Sequence, residues 1–222
     1  MTVALATPTY DGKLGVPYVL GLTSLVAHRR IAMPFFLGGC SNVALARNKC
    51  ARWFLEQGYE HLVFIDADMG FSEADFDILM QGDEECVACE YRKKDQTRKV
   101  RVIYGLGFAR IARSAFERLA GCERDDGNPL LYRFRMDGEE WVDYFPQGPT
   151  GDGVWRGEDH GFWLMAKLAG ASVRVERRTA LMHTGDAHFV YRAEDFPDEL
   201  SPYGSDPDGP LGMLPDPVDM NT

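Results

Sequence analysis

Apolar residues near the start of the chain fall into short strand-like runs separated by stretches with helical spacing. Val3-Ala4-Leu5-Ala6 reads as a strand, stopped by Thr7-Pro8 and followed by a polar Tyr10-Asp11-Gly12 turn. From about Pro17 to Arg29 the positions Val19, Leu22, Leu25 and Val26 lie near helical spacing. Ile31 to Leu37 predicts a second strand, closed by Gly38-Gly39. Ser41 or Asn42 can cap the next helix, which runs through Leu45, Cys50, Trp53, Phe54 and Leu55, with Gly58 as its stop. Leu62-Val63-Phe64-Ile65 is then a run too short and too β-rich for a helix, so it predicts a buried strand. This alternation predicts an α/β fold built from right-handed parallel βαβ units.

Farther along, Ser72-Glu73-Ala74-Asp75 has the residues of a capped, acidic helix start, and a helix to about Met80 is expected. Cys86 to Tyr91 and Ile103 to Ile111 read as strands, with Ser114 capping a helix over Ala115 to Leu119. Glycine within the second of these strands marks a close approach of backbone or ligand. Residues 121–156 mix Gly, Pro, charges and aromatics without a period, as an insertion facing a substrate would. A helix follows from Glu158-Asp159 through Phe162, Leu164, Met165 and Leu168 to Gly170. Ser172 to Val175 and Ala180 to His183 complete the strands.

Length and composition narrow the class. The 222 residues suit one core, and 45% hydrophobic with 26% charged residues is ordinary for a globular protein. No run of about 18 apolar residues is present, and the first residues lack the basic start of a signal peptide, so a cytoplasmic protein is expected. Five cysteines, an odd number in mostly apolar settings, predict reduced thiols; Cys86 and Cys89 are strand residues rather than half of a zinc site. The net charge of −10 is concentrated late: from Glu194 onward there are eight acidic residues and no Lys or Arg, leaving −2 for the rest. No broad basic face is evident, which argues against nucleic-acid binding. The division expected is one domain over 1–195 and a flexible tail over 196–222, where six prolines leave little to bury.

The chemistry centres on Asp66-Ala67-Asp68. Two carboxylates at the carboxyl end of a buried strand lie where open α/β sheets bind ligands, and residues two apart share a face. Their mutual repulsion is relieved by a hard divalent cation, although a solvated acidic turn would account for them as well. The segment Arg92 to Arg101 carries six cations in ten residues, enough to close over a diphosphate or simply to be solvated.

Four segments in order resemble the GT-A glycosyltransferases, family 2-like, over Val3 to about Tyr191. They are Thr7-Pro8-Thr9-Tyr10-Asp11-Gly12; Ala44-Leu45-Ala46-Arg47-Asn48 before Phe64-Ile65-Asp66-Ala67-Asp68; Tyr104-Gly105-Leu106-Gly107-Phe108 with its following helix; and Arg156-Gly157-Glu158-Asp159 with Leu181-Met182-His183-Thr184-Gly185. The resemblance implies a single GT-A domain with a Rossmann-like, mainly parallel mixed sheet flanked by helices. It also implies a transferase moving a sugar from a nucleotide diphosphate donor, UDP- or GDP-sugar, to an acceptor hydroxyl with inversion. Thr7, Pro8, Thr9, Tyr10, Arg47, Asn48, Asp66, Ala67 and Asp68 would then face the nucleotide. Asp66, Asp68 and His183 would hold Mn²⁺ or Mg²⁺, with Asp68 the direct ligand and Asp66 orienting the ribose or a metal-bound water. Asp159 would be the general base and Glu158 its neighbour orienting the acceptor. Trp155, Phe162 and Trp163 offer an aromatic wall for a sugar ring. Many relatives end the second strand with an Asp; here Leu37-Gly38-Gly39-Cys40 stands there, so the base is open.

Other readings predict different residues. A haloacid dehalogenase-like phosphatase would want Thr where Gly70 stands, and a sugar nucleotidyltransferase a Gly-rich signature with Lys that residues 3–20 lack. A silent nucleotide- or sugar-binding module would have no use for a base at Asp159.

Overall fold

Leu62, Val63, Phe64 and Ile65 are all completely buried, as a strand covered on both faces requires. They form the middle of a six-stranded sheet in the computed structural model, which describes residues 2–94, 100–149, 153–185 and 188–190. The chain begins β1 (Val3–Thr9), α1 (Val16–Ala27), β2 (Met33–Gly38), α2 (Val43–Gln57) and β3 (His61–Ile65), in the predicted order. After β4 (Met69–Gly70) come α3 (Glu73–Leu79), β5 (Cys86–Cys89), and the short pair β6 (Tyr91–Arg92) and β7 (Arg101–Val102). β8 (Phe108–Ala112) leads into α4 (Arg113–Gly121). The irregular stretch holds two small antiparallel pairs, β9 (Arg133–Met136) with β10 (Glu139–Val142), and β11 (Gly148–Pro149) with β12 (Trp155–Arg156). The described chain ends with α5 (Glu158–Leu168), β13 (Val173–Glu176), β14 (Met182–Thr184) and β15 (His188–Val190).

The sheet order is β13-β5-β8-β3-β1-β2. β1 pairs in parallel with β2 and β3, and β5 with β13, but β8 runs antiparallel between β3 and β5. The sheet is thus mixed and mainly parallel, as expected, with β8 the antiparallel member. Strand alternation sorts the core into two layers. Val3, Leu5, Val63 and Ile65 face Tyr18 of α1 and Phe76 and Leu79 of α3, while Ala4, Ala6, Leu62 and Phe64 face α2, α4 and α5.

Local signals explain the element ends. Asn42 Oδ1 accepts from the Leu45 N–H at 3.1 Å, and Gly58 takes the left-handed conformation that stops α2. Ser72 and Asp75 form a reciprocal capping box at α3. The cap expected at Ser114 is corrected: α4 begins at Arg113, and the Ser114 hydroxyl donates instead to Glu85 Oε1 at 2.8 Å. Arg113 turns back to bond the carbonyls of Phe54, Leu55 and Tyr59 at 2.8–3.1 Å, capping the far end of α2. The strand expected from Ile103 starts only at Phe108, although the Gly107 carbonyl already accepts from the Asp66 N–H at 2.9 Å.

α5 passes so close to the backbone at Pro146 that a Cβ on Gly161 would overlap the Pro146 carbonyl oxygen. Gly161→Ala is expected to lower stability by ~1–3 kcal/mol through overpacking, read as an earlier midpoint in urea unfolding. An unchanged midpoint would mean that this contact does not fix α5.

Candidate active site

The carboxyl ends of β1 and β3 open onto a cavity of about 650 Å³. Its wall includes Pro8 and Thr9 at the end of β1, Tyr10 and Lys13 beyond it, Ser41, Val43, Ala46 and Arg47 around the start of α2, Asp66 to Asp68 after β3, and Glu158 of α5. This is the edge where an open α/β sheet takes its ligands.

Arg47 organises the floor. Its side chain is 4% exposed, with Nη2 donating to Asp66 Oδ1 at 2.9 Å and Nε to Glu158 Oε1 at 3.3 Å. Burial disfavours the guanidinium charge, but Asp66 and Glu158 more than offset it and raise the pKa. Arg47 Nη1 is buried with no hydrogen-bond partner among the described residues, so one donor is left over. Asn48, next in sequence, points elsewhere: Nδ2 donates to Asp143 Oδ1 at 2.8 Å and Oδ1 accepts from the Tyr144 N–H at 2.9 Å. It ties down the insertion rather than lining the cavity. Thr7 also lies off the cavity, its hydroxyl 2.5 Å from that of Tyr18. Buried there, the Tyr18 phenol is pushed up to about 12.

The two Asp side chains of the Asp66-Ala67-Asp68 turn have different partners. Asp66 turns to Arg47, while Asp68 pairs with Lys94 and has His183 Nε2 at 3.5 Å from its Oδ1. The Asp68 main chain is held too, its carbonyl accepting from the Thr184 N–H at 2.8 Å and hydroxyl at 2.7 Å. Burial raises the Asp68 pKa, but the contacts with His183 and Lys94 prevail and hold it below its ordinary value. His183 Nδ1 lies 3.0 Å from the Arg92 carbonyl, which can only accept. Nδ1 therefore carries the proton, and in a neutral ring Nε2 faces Asp68 with a lone pair.

That arrangement can be tested against a divalent cation. Asp68 Oδ1 is buried without a hydrogen bond among the described residues, and a carbonyl orients the imidazole as one does for metal-bound histidines. A 3.5 Å gap between Oδ1 and Nε2 suits two donors each ~2.1 Å from one ion. Among the described residues no group of three or more His, Cys, Asp or Glu could hold a metal. The described residues thus offer such an ion two donors, and the rest of its coordination would fall to groups other than these side chains.

Asp159 lies at the start of α5, with Oδ1 accepting from the His160 N–H at 2.7 Å. Burial, then the charge of Glu158, raises its pKa above the ordinary 3.8. Between the two halves stands Tyr91, buried, its ring edge-on to His183 with centroids 5.3 Å apart. A Cβ at Gly107 would stand 3.0 Å from both Tyr91 Oη and Asp66 Oδ2, and one at Gly105 would overlap the phenol. The close approach expected at these glycines is thus made by Tyr91, expected only as the end of a strand. Its only sequence signal was an aromatic at a strand end. Phe162 and Trp163 belong to the core, whereas Trp155 is 67% exposed. Residues 95–99 of the basic segment and the 196–222 tail lie outside the described residues.

No family model matches the chain, and no curated protein does. Solved structures do. A197 from STIV superposes with a TM-score of 0.56 at 19% identity, over 87% of this chain and 91% of that one. The two chains share a fold. A Drosophila β1,4-galactosyltransferase 7 complexed with manganese, UDP-Gal and xylobiose matches at a TM-score of 0.49 and 13% identity, over 86% of this chain and 71% of that one. A glycosyltransferase involved in glycosylation of the PBCV-1 major capsid matches at 0.38 and 8%, over 53% and 62%. No helix among the described residues is long and apolar enough to cross a membrane.

Removing Arg47 leaves two carboxylates facing each other in a poorly hydrated floor. Arg47→Ala is expected to cost up to ~3 kcal/mol at neutral pH, with Arg47→Lys recovering part of it, by denaturant unfolding. Equal stability of Arg47→Ala and wild type would remove Arg47 from the centre of the site.

Proposed function

We propose that the chain is a metal-dependent glycosyltransferase that moves a sugar from a nucleotide diphosphate donor to an acceptor hydroxyl with inversion. The observation that carries this reading is that the Asp68–His183 couple and a carboxylate of raised proton affinity, Asp159, both neighbour one buried residue, Tyr91. A binding module would have no use for the second. Asp68 Oδ1 and His183 Nε2 would hold Mn²⁺ or Mg²⁺, which when bound supplies Lewis-acid charge to the departing diphosphate. His183 favours Mn²⁺ as the softer partner.

The residues of the chain then divide the work. Pro8, Thr9 and Tyr10 form the wall for the nucleoside, and Asp66, fixed by Arg47, lines the same cavity for the ribose. Arg47 Nη1 is the donor left for a phosphate oxygen. The acceptor oxygen bonds to the anomeric carbon as the carbon–oxygen bond to the diphosphate breaks. Its proton passes to Asp159, and the nucleoside diphosphate leaves with the electron pair. Displacement from the opposite face inverts the centre. UDP- and GDP-sugars are the donors to try first; the acceptor is a hydroxyl compound, with nucleic acid disfavoured by the charge distribution.

The decisive assay is a thermal-shift screen of UDP, GDP, CDP, ADP and dTDP with and without Mn²⁺, on wild type and Asp68→Ala. One nucleotide is expected to raise Tm only with metal and only when Asp68 is present. No shift with any nucleotide in folded protein would refute the donor site. Asp159→Asn is expected to keep that shift while lowering donor turnover ~10²–10⁴-fold. Because burial raises the Asp159 pKa, its basic form is lost as pH falls through a value above 3.8, and the acid limb of the wild-type rate should lie there. Full turnover by Asp159→Asn would refute its role as base.

A further inference from the structure

Resting on the cation site just described, we propose that Lys94 is its exchangeable counter-ion: it neutralises Asp68 until a divalent cation binds and is then released toward the incoming diphosphate. Lys94 Nζ is paired with Asp68 Oδ2, on the same carboxylate whose other oxygen faces His183. A divalent ion on Oδ1 and an ammonium on Oδ2 repel each other across one carboxylate, so each weakens the hold of the other.

Three features make the lysine a replaceable partner. Its side chain is 34% exposed and that of Asp68 40%, so water can take over either charge during exchange. The lysine stem lies across Gly185, where a Cβ would stand 3.2 Å from Lys94 Cδ; the glycine leaves the path open. The Asp68 backbone, by contrast, is fixed by two bonds from Thr184, so the carboxylate stays while the lysine moves.

The cavity also explains where the released ammonium goes. Lys13 and Arg47 are the cations on its wall; Lys13 is paired with Asp11 at 2.9 Å, and Arg47 holds Asp66 and Glu158. A diphosphate entering beside Asp68 thus meets two cations already paired with carboxylates, with Arg47 Nη1 the one nitrogen of theirs left to it among the described residues. Lys94 is the one whose partner is taken over when a metal arrives.

Mn²⁺ binding followed by the electron paramagnetic resonance of the free ion tests this on the full chain at low ionic strength. Lys94→Met is expected to bind Mn²⁺ about tenfold more tightly than wild type, and Lys94→Arg to stay near wild type. With Mn²⁺ saturating, inorganic pyrophosphate should bind Lys94→Met about tenfold more weakly, because the second acceptor of the ammonium has lost its partner. Unchanged or weaker Mn²⁺ binding by Lys94→Met would overturn the counter-ion role, and unchanged pyrophosphate binding its release to phosphate. Asp68→Asn separates this from failure of the site itself: if it binds Mn²⁺ as wild type does, the cation site is elsewhere.

Discussion

The structure around the cleft depends on one buried cation. Arg47 sits on α2, Asp66 at the end of β3 and Glu158 at the start of α5, and a single guanidinium joins all three. Its burial makes the charge costly, so it persists only while both carboxylates stay in reach. Its charge also lies over the Phe64 ring, 5.1 Å from the centroid, on the same central strand that carries Asp66. A change in how α5 packs on the sheet would therefore be felt at Asp66.

Around that centre the site has two electrostatic characters. On one side Asp68, His183 and Lys94 keep a carboxylate ionised among positive or polarised partners. On the other, Asp159 is pressed toward the protonated form by burial and by Glu158. Two aspartates are thus driven in opposite directions by their neighbours. Tyr91 fills the space between them, and Gly105 and Gly107 are small because its phenol comes so close.

The fold shared with A197 names no reaction. The site has to carry that argument. Its support comes from atoms: an orphaned Asp68 oxygen, a histidine whose tautomer is set by a carbonyl, and a half-buried Asp159.

What the sequence determined by itself was local and periodic. The β1-α1-β2-α2-β3 order, the Asn42 cap, the Gly58 stop and the Ser72 capping box all follow from interactions within a few residues, which the order of side chains specifies directly. So does the placing of Asp66 and Asp68 at a strand end. Tertiary structure decided what depends on distant partners. The direction of β8 is set by the strands on either side, not by its own residues. Asn48 and Arg47 are adjacent in sequence and on one helix, but a turn of about 100° per residue sends one to the insertion and the other to the cleft. The separate partners of Asp66 and Asp68, and the presence of Tyr91 and Lys94 beside them, come from contacts 19 to 116 residues apart that no local pattern encodes.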